Sequence, residues 1–422
     1  MFRLKLIAAV LTFSLCERAL PGYDAPFFMA LGDLPGGLFD SFAGDVSADG
    51  LVVVGGSVTS GLSYTEPFRW TLEEGMTRLP SPNNFTGGGT ATGVSGDGQV
   101  IVGTGVRLNG RGEGFVWTAQ TGWVGVGDLP GGPFLSACHA VSADARVVVG
   151  YSLSGTSRTE GFRWTAAEEM VPLGDLPGGI FVSIAIDASA DGSVIVGGSA
   201  SGRDPQESNP EAFRWTVETG MVGLGDLPGG EFNSGALAVS CDGRVIAGQG
   251  RSDRGVEVFR WTADEGMVAL PNPFPGSYAI TMGAMSGDGS IICGSIAGAL
   301  PHRVYIWDAQ HGTRDLQEAL VNDYGLDLQG YTLGSVAGIS DDGRTIVGTA
   351  KNPNDFNEAW IAYLGPVPCP PDLTGDRTID ERDLMVLLES FGLDAGGDTD
   401  NDADTDLTDL AILLSAYGTA CP

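Results

Sequence analysis

Basic residues and histidines are scarce in this sequence of 422 residues. It has 22 lysines and arginines against 53 aspartates and glutamates, which gives a formal net charge of −31. A phosphate backbone is bound through a basic stripe, and the sequence has none, so we expect no nucleic-acid partner. The three histidines, His139, His302 and His311, do not stand in the spacing of a metal site.

Long hydrophobic runs and familiar catalytic motifs are missing as well. The one apolar run, residues 6–15, follows Arg3 and Lys5 and is too short to span a membrane. It predicts a signal peptide within residues 1–22, with the cleavage site left open, and hence a secreted, extracellular or cell-surface protein. The sequence has no Gly-x-Ser-x-Gly elbow, no P-loop and no dinucleotide-binding fingerprint. No catalytic residue is assigned, although glycosidase carboxylate pairs stay open because they assemble from separate strands.

Glycine, by contrast, is abundant, with 66 residues, and many of these glycines belong to one repeated motif. The motif is Ser-x-Asp-Gly followed by a strand that resembles Val-x-Val-Gly. Its seven copies, 46 to 54 residues apart, begin at Ser47, Ser95, Ser142, Ser189, Ser240, Ser286 and Ser340. A period of this length indicates a repeat architecture.

Each repeat has the pattern of four short strands. In the first copy, residues 42–47 and 51–56 flank an Asp-Gly turn. Phe68 and Trp70 lie on one face of a third strand, and residues 76–79 form the fourth. Four antiparallel strands repeated radially make a propeller blade. The sequence therefore predicts an all-β seven-bladed β-propeller built of four-stranded blades over residues 25–365.

The two ends of the repeat region are out of phase. Residues 27–37 match the end of a repeat, whereas the seventh copy stops at Leu364 without a fourth strand. We therefore predict that an N-terminal strand closes the last blade, which also removes an open sheet edge. An insertion before the seventh copy predicts a short packing helix with one face formed by Leu316, Leu320 and Val321.

The two faces of such a propeller differ in this sequence. One face carries the Asp-Gly turns, and seven equivalent aspartates favour a turn role over a chemical one. The opposite face carries long, divergent loops: residues 57–66, 104–114, 152–161 and 199–212. Because loops on a rigid scaffold often determine binding specificity, a glycan or protein ligand is expected there. The alternative is that these loops vary because nothing constrains them.

The repeat also contains Phe-Arg-Trp and Leu-Gly-Asp-Leu-Pro-Gly-Gly segments. With them it resembles the HAF repeat of secreted bacterial proteins, from about Phe27 to Leu364. The resemblance implies an extracellular protein and does not specify an activity.

The composition changes after a proline-rich linker, residues 366–371. Beyond this linker, oxygen-bearing side chains recur at the alternating positions that bind calcium in EF-hand-like loops. An apolar helix is predicted after each loop, at residues 384–391 and 407–417. The first loop offers Asp372, Thr374, Asp376, Thr378, Asp380 and Asp383. The second offers Asp398, Asp400, Asp402, Asp404, Asp406 and Asp409. We expect two Ca²⁺ sites, the second binding more tightly, because the first has Thr374 as a weaker ligand and Arg377 at the bend.

This duplicated loop–helix unit, residues 372–422, resembles a dockerin module. The resemblance implies docking to a cohesin-like or other surface scaffold protein, and a disulfide between Cys369 and Cys421. The bend position, usually glycine, is Arg377 in one loop and Ala403 in the other, which departs from the dockerin pattern. Six leucines of the two helices are expected to pack together: Leu384, Leu387, Leu388, Leu410, Leu413 and Leu414.

Three functions stay open at this point. The favoured one is a non-enzymatic recognition protein, secreted or on the cell surface, anchored through its calcium-dependent module. The alternative is a polysaccharide-degrading hydrolase, a glycosidase or lyase, of a dockerin-docked complex. The third is a structural surface protein.

Overall fold

The computed structural model describes residues 25–36, 40–59, 65–155, 158–204, 209–274, 279–297, 303–365, 371–374, 378–399 and 404–419. The chain divides into two compact units, a propeller that ends at Leu364 and a C-terminal unit that begins at Gly365. The predicted signal peptide lies outside the described residues, as do residues 366–370 of the predicted linker. No helix among the described residues is long and apolar enough to cross a membrane.

The first unit begins with β1 (Phe27–Gly32) and continues into complete blades. Blade one comprises β2 (Ser41–Val46), β3 (Val53–Val58), β4 (Thr65–Thr71) and β5 (Gly75–Arg78). Blade two comprises β6 (Phe85–Val94), β7 (Ile101–Arg107), β8 (Gly112–Thr118) and β9 (Gly122–Gly125). Blade three comprises β10 (Gly131–Val141), β11 (Val148–Ser154), β12 (Thr159–Thr165) and β13 (Glu169–Pro172). Blade four comprises β14 (Gly178–Ala188), β15 (Ile195–Ser201), β16 (Pro210–Thr216) and β17 (Gly220–Gly225).

The remaining three blades follow the same order. Blade five comprises β18 (Gly229–Val239), β19 (Ile246–Ser252), β20 (Gly255–Thr262) and β21 (Gly266–Ala269). Blade six comprises β22 (Ala279–Met285), β23 (Ile291–Ala297), β24 (Arg303–Asp308) and β25 (Gly312–Asp315). Blade seven contains β26 (Thr332–Ile339), β27 (Thr345–Lys351) and β28 (Asn357–Tyr363). Consecutive strands of a blade pair antiparallel, and one parallel pair, Val256 with Ala279, links β20 to β22. The predicted seven-bladed propeller of four-stranded blades is confirmed.

The fourth strand of blade seven is β1, which pairs antiparallel with β28. Phe28 of β1 is 7% exposed, and its ring centroid lies 6.0 Å from that of Trp360. The backbone N–H of Asp341 in blade seven donates to the carbonyl of Ala48 in blade one, at 3.1 Å. The two ends of the repeat region therefore meet in one blade, where β1 pairs with the edge of β28 that would otherwise be open.

The core of each blade is organised around one large aromatic residue on the third strand. All seven are buried: Phe68, Phe115, Phe162, Phe213, Phe259, Tyr305 and Trp360. Each faces the glycine that ends the Val-x-Val-Gly segment of the second strand: Gly55, Gly103, Gly150, Gly197, Gly248, Gly294 and Gly348. The glycine leaves the space that the ring fills, which explains why the two residues recur together in the repeat.

The insertion before blade seven contains α1 (Leu316–Asn322). Asp315 caps this helix by accepting a hydrogen bond from the backbone N–H of Glu318. Leu316 and Leu320 are buried as predicted, but Val321 is 45% exposed. The helix packs through Leu316, Ala319 and Leu320. The prediction for Val321 is wrong because its side chain lies off this packed face and points towards solvent.

The second unit contains α2 (Glu381–Ser390) and α3 (Leu407–Ala416). Its core is small, with Ile379, Leu387 and Leu413 buried and Leu384 and Leu410 packed against them. The predicted core is wrong for two of its six leucines, because Leu388 is 54% exposed and Leu414 is 53% exposed. The two short helices share one inner face, which contains the buried Leu387 and Leu413. Leu388 and Leu414 follow these residues directly and point away from that face.

Candidate functional site

The repeated serine and aspartate of the motif build a turn. Ser189 Oγ donates to Asp191 Oδ1 at 2.9 Å and accepts from the Val194 N–H at 3.0 Å. Asp191 Oδ1 also accepts from the Ser193 N–H at 2.9 Å. The same serine–aspartate bond occurs in all seven copies. The predicted turn role of these aspartates is confirmed.

The third copy of this turn has alanine where the other six have glycine. Ala145 has a φ of 63°, in the left-handed region that favours glycine. The equivalent Gly192 has a φ of 66°. Ser142 Oγ still donates to Asp144 Oδ1 at 2.7 Å, so the hydrogen bonds hold the turn despite the unfavourable residue.

The second residue of each turn lines a central cavity of about 140 Å³. These seven residues are Ala48, Gly96, Ala143, Ala190, Cys241, Gly287 and Asp341. Because the turns connect the first and second strands, the cavity opens on the face of the propeller that carries them, here called the turn face. The opposite face, which carries the connections between second and third strands, is called the loop face.

Backbone hydrogen bonds link neighbouring turns around this cavity. The N–H of Asp341 donates to Ala48, that of Gly287 to Asp341, and that of Cys241 to Gly287. The remaining links are from Ala190 to Cys241, from Asp144 to Ala190 and from Gly96 to Ala143. Among the described residues, no such bond joins Ala48 and Gly96, the turn residues of blades one and two.

Two aspartates near the cavity bridge adjacent blades. Asp45 Oδ2 accepts from the Val94 N–H of blade two at 3.0 Å, while Oδ1 accepts from its own neighbour Val46. Asp187 Oδ2 accepts from the Val239 N–H of blade five at 2.8 Å. Asp341 lines the same cavity, and its Oδ2 lies 3.3 Å from Cys241 Sγ. Sequence reasoning missed this cluster, because only two of seven repeats carry an aspartate at this place.

Burial raises the pKa of both bridging aspartates. That of Asp45 rises to about 7, against the opposing effect of its backbone hydrogen bonds, and the charges of Asp187 and Asp341 add to the rise. Burial likewise raises the pKa of Asp187 to about 6, with a contribution from Asp341. The cavity therefore contains carboxyl groups that titrate in the neutral range.

A set of buried glutamates near the loop face was also missed by sequence reasoning. Each precedes the core aromatic of its blade by two residues, and each is 2–8% exposed: Glu66, Glu113, Glu160, Glu211, Glu257 and Glu358. In blade six this position is Arg303. The signal was present in the sequence, since a glutamate stands at a fixed distance from the aromatic in six of seven repeats.

Arginines pair with several of these glutamates. Arg78 Nη2 lies 2.6 Å from Glu66 Oε2, and Arg254 Nη2 lies 2.9 Å from Glu257 Oε1. Arg203 Nη1 lies 3.1 Å from Glu211 Oε1, which also accepts from the backbone N–H of Gly225 at 3.0 Å. A buried carboxylate is costly unless it is paired and hydrogen-bonded. These pairs therefore fix the chain where it enters the third strand of blades one, four and five.

In the C-terminal unit, the next-to-last carboxylate of each predicted calcium loop caps the helix that follows. Asp380 caps α2 and Asp406 caps α3, each in a reciprocal capping box with the aspartate three residues later. Those two aspartates, Asp383 and Asp409, are fully buried. Asp383 Oδ1 accepts from the N–H and the hydroxyl of Thr374, both at 2.9 Å.

The second loop brings three of its predicted ligands together. One carboxylate oxygen each of Asp404, Asp406 and Asp409 lies within 4.8 Å of the others. Asp409 Oδ1 accepts from the N–H of Thr399 at 2.6 Å. In the first loop, the equivalent hydrogen bond to the last aspartate, Asp383, comes from the N–H of Thr374. Counted from the first residue of each loop, Thr374 lies one position later than Thr399, so the two loops pair with their last aspartates in different registers. Oxygen ligands in such an arrangement fit the chemistry of Ca²⁺.

The two loops also pair crosswise with the ends of the helices. The N–H of Gly418, after α3, donates to the carbonyl of Ile379 in the first loop at 2.7 Å. The N–H of Gly392, after α2, donates to the carbonyl of Thr405 in the second loop at 2.8 Å. This reciprocal pairing joins the two loop–helix halves into one compact unit.

Several predicted residues lie outside the described part of the chain. They are Asp376, Asp400 and Asp402 of the calcium loops and the predicted disulfide pair Cys369 and Cys421. Asp372, Thr378 and Asp398 are described. Within the propeller, Cys138 and Cys293 are buried free thiols, and burial raises the pKa of both.

Comparison with solved structures shows the fold alone. The β-propeller domain of the Trilobed protease from Pyrococcus furiosus, described as having an open velcro topology, aligns with a TM-score of 0.50 at 12% identity, over 76% of this chain and 95% of that one. A putative TolB from Agrobacterium tumefaciens aligns with a TM-score of 0.39 at 14% identity, over 64% and 88%. A prolyl endopeptidase aligns with a TM-score of 0.47 at 14% identity, over 73% of this chain and 46% of that one. No family model and no curated protein matches this chain.

Proposed function

We propose that this is a secreted or cell-surface recognition protein without catalytic activity. Its propeller presents the loop face to a glycan or protein ligand, and its C-terminal unit is a calcium-dependent, dockerin-like anchor for a cohesin-like or other surface scaffold. The HAF-repeat and dockerin resemblances of the sequence are the basis for the location and for the partner.

The loop face supports a binding role because its loops start from fixed points. Arg203 and Arg254 reach from the connections between second and third strands to the buried Glu211 and Glu257. A rigid base of this kind positions variable loops for recognition. The recurring aspartates of the propeller are engaged in turns, as in Asp191. Four of the recurring glutamates are engaged in ion pairs: Glu66, Glu113, Glu211 and Glu257. This arrangement favours recognition over the alternative, a glycosidase or lyase.

A glycan array with the full chain tests the recognition proposal. Binding without release of reducing ends or unsaturated products from the same glycans supports it, and turnover of any glycan establishes the hydrolase or lyase instead. If the chain binds no glycan on the array and also captures no surface protein, the third function, that of a structural surface protein, is favoured. Arg203→Ala and Arg254→Ala should weaken binding if the loops of blades four and five form the site, whereas Arg146→Ala on the turn face should not.

The convergence of Asp404, Asp406 and Asp409 carries the calcium proposal. Three carboxylates this close repel one another, and a divalent cation relieves that repulsion while binding them as oxygen ligands. Asp398, Asp400 and Asp402 complete the proposed ligand set of the second loop. The first loop uses Asp372, Thr374, Asp376, Thr378, Asp380 and Asp383. Because the core of this unit is small, calcium binding should contribute directly to its folding.

Calorimetric titration of Ca²⁺ into the full chain tests this part of the proposal. Two sites are expected, and Asp398→Ala should reduce affinity at the tighter one while Asp372→Ala affects the weaker one. Asp191→Ala, in a propeller turn, serves as the control and should leave the titration unchanged. Absence of heat of binding in the wild type, or a greater loss from Asp372→Ala, contradicts the assignment.

A further inference from the structure

The connection between the second and third strands of blade seven presents an aromatic side chain on the loop face. Phe356 lies between β27 and β28 and is 48% exposed, which makes it the most exposed aromatic residue in the described part of the propeller. An aromatic ring stabilises a fold mainly by being buried. The position of Phe356 therefore needs a reason other than packing.

Two backbone hydrogen bonds close the loop that carries Phe356. The N–H of Asn352 donates to the carbonyl of Phe356, and the N–H of Asp355 donates to the carbonyl of Asn352, both at 2.9 Å. The Asn352 side chain adds two more bonds, because its Oδ1 accepts from the N–H of Asn354 at 2.9 Å and from that of Phe356 at 3.1 Å. The backbone at Phe356 is thus fixed, and it presents the ring from a defined position.

The same turn occurs in blades two and three with a different last residue. In blade two, the N–H of Arg107 donates to the carbonyl of Arg111 at 2.9 Å. In blade three, the N–H of Ser154 donates to the carbonyl of Arg158 at 3.1 Å. Blades two and three therefore have an arginine at the place where blade seven has Phe356. The turn itself does not require an aromatic residue there.

The turn of blade seven also contains a strained residue that its counterpart in blade two avoids. Asp355 has a φ of 66°, whereas the equivalent residue of blade two is Gly110, with a φ of 79°. The left-handed region favours glycine, so an aspartate costs stability here. Lys351 Nζ donates to the carbonyl of Asp355 at 3.1 Å and helps to hold this conformation. Strain that the surrounding structure maintains is characteristic of ligand-binding and active sites.

A second strained turn lies beside the first. Gln329, in the insertion before blade seven, has a φ of 52°. The two turns are neighbours, since a Cβ on the next residue, Gly330, would lie 3.4 Å from Pro353 Cγ. Tyr331 connects the insertion to the blade, because its hydroxyl donates to Oε2 of the buried Glu358 at 2.8 Å. The insertion and the loop therefore form one surface on the loop face of blade seven.

The side chains of this surface have the chemistry that recognises sugars. Asn354 and Gln329 are exposed, and each amide offers both donors and an acceptor to hydroxyl groups. Lys351 Nζ lies 3.8 Å from Asp355 Oδ1, so these two exposed charges offset each other. A sugar ring has hydroxyls at its rim and an apolar C–H face that stacks on an aromatic ring. A single aromatic ring bordered by amides suits such a ligand better than the broad apolar centre of a protein interface.

We propose that the turns of residues 327–331 and 351–357 form a binding site for a neutral glycan, in which a sugar ring stacks on Phe356 and hydrogen-bonds to Asn354 and Gln329. Such a site rests on the proposed recognition function and places that function on blade seven. An acidic glycan is disfavoured as the ligand, because the chain has a formal net charge of −31 and would repel it.

Calorimetric titration of the full chain with neutral cello-, xylo-, manno- and laminari-oligosaccharides tests the site, at saturating Ca²⁺. Phe356→Ala should weaken the affinity for the oligosaccharide that the wild type binds by at least about tenfold, and Phe356→Trp should retain it. If Phe356→Ala fails to fold, Phe356→Arg replaces it, because arginine stands at this place in the turns of blades two and three. Tryptophan fluorescence monitors the fold, because all eight tryptophans lie between Trp70 and Trp360 of the propeller.

The turn of blade two supplies a matched control for the amide. Asn354→Ala should weaken binding of the same oligosaccharide. Asn109 is exposed and occupies the equivalent place in the turn of blade two, so Asn109→Ala should leave the affinity unchanged. Equal losses from the two asparagine variants would overturn the assignment to blade seven.

The outcomes separate this site from the recognition function on which it rests. An oligosaccharide that binds the wild type and Phe356→Ala equally well overturns the site and leaves the recognition function standing. If the wild type binds none of these oligosaccharides, the neutral-glycan site is wrong, whereas the recognition function fails only if the chain also binds no other glycan and captures no surface protein. Capture of a surface protein that is lost in Phe356→Ala would assign this surface to a protein partner and overturn the glycan proposal.

Discussion

Gly197 and Phe213 face each other across β15 and β16, and the glycine has no room for a side chain. A Cβ on Gly197 would lie 2.0 Å from the carbonyl oxygen of Ile184 and 3.0 Å from the Phe213 ring. The first strand, β14, thus lies close to the second strand, β15, at the place where the Phe213 ring of the third strand packs. The same relationship recurs in every blade and explains why the repeat contains both residues.

Gly197→Ala is therefore expected to destabilise the propeller by about 1–3 kcal/mol, the usual cost of forcing extra volume into a packed core. Denaturant unfolding followed by tryptophan fluorescence measures the loss. Gly235→Ala in β18 is the matched control, because a Cβ there would meet nothing within 4 Å. Similar losses for the two variants would show that the close approach is not the cause.

Ala145→Gly should stabilise the protein by up to about 1 kcal/mol. Ala145 adopts a φ of 63°, and the left-handed conformation costs a residue with a Cβ more than it costs glycine. The reciprocal change Gly192→Ala should destabilise the equivalent turn of blade four, where a Cβ would also approach Val147 Cγ2 at 2.4 Å. A lower unfolding midpoint for Ala145→Gly contradicts the prediction.

Phe28→Ala should lower the stability of the ring by about 3–5 kcal/mol, the usual cost of truncating a buried phenylalanine. The side chain is 7% exposed and joins β1 to the core of blade seven beside Trp360. Leu108→Ala is the control, because Leu108 is 69% exposed and its loss should change stability by less than about 0.5 kcal/mol. Deleting residues 25–31 should have a larger effect than either substitution. If the deletion unfolds at the wild-type temperature, strand closure contributes nothing to stability.

Asp191→Asn should make the propeller less sensitive to acid. Burial alone would raise the pKa of Asp191, but hydrogen bonds from Ser193 and Ser189 outweigh it and hold the pKa below its ordinary value. A lowered pKa stabilises the folded state above the unfolded value of about 4, and this contribution is lost as pH falls through the folded value. The unfolding midpoint below pH 4 should therefore fall more steeply in the wild type than in the variant. The opposite order would mean that the turn carboxylate is not stabilised by its hydrogen bonds.

The pairing of Cys369 with Cys421 stays a prediction, because both residues lie outside the described part of the chain. Mass spectrometry of the full chain, purified without reductant and alkylated, should find the two cysteines linked and unlabelled. A bond that closes a loop of this length should stabilise the unit by roughly 3–4 kcal/mol. Labelling of both thiols without prior reduction would exclude the disulfide.

Much of the propeller could be predicted from the sequence, because its determinants are local and repeated. The Ser-x-Asp-Gly turn is built by residues within five positions of one another, as Ser189, Asp191 and Val194 demonstrate. The period of the motif gave the blade number, and the misplaced repeat end at residues 27–37 indicated where the ring closes. The capping boxes of Asp380 and Asp406 are equally local.

Relationships between distant residues were decided by the tertiary structure. Asp45, Asp187 and Asp341 share a cavity because the ring brings blades one, four and seven to one axis, and no local pattern distinguishes them. Leu388 and Leu414 fit the helical period of a core residue, yet two helices with one shared face leave them exposed. Local hydrogen bonding and hydrophobic period determine the elements, whereas the direction in which each element faces depends on what packs against it.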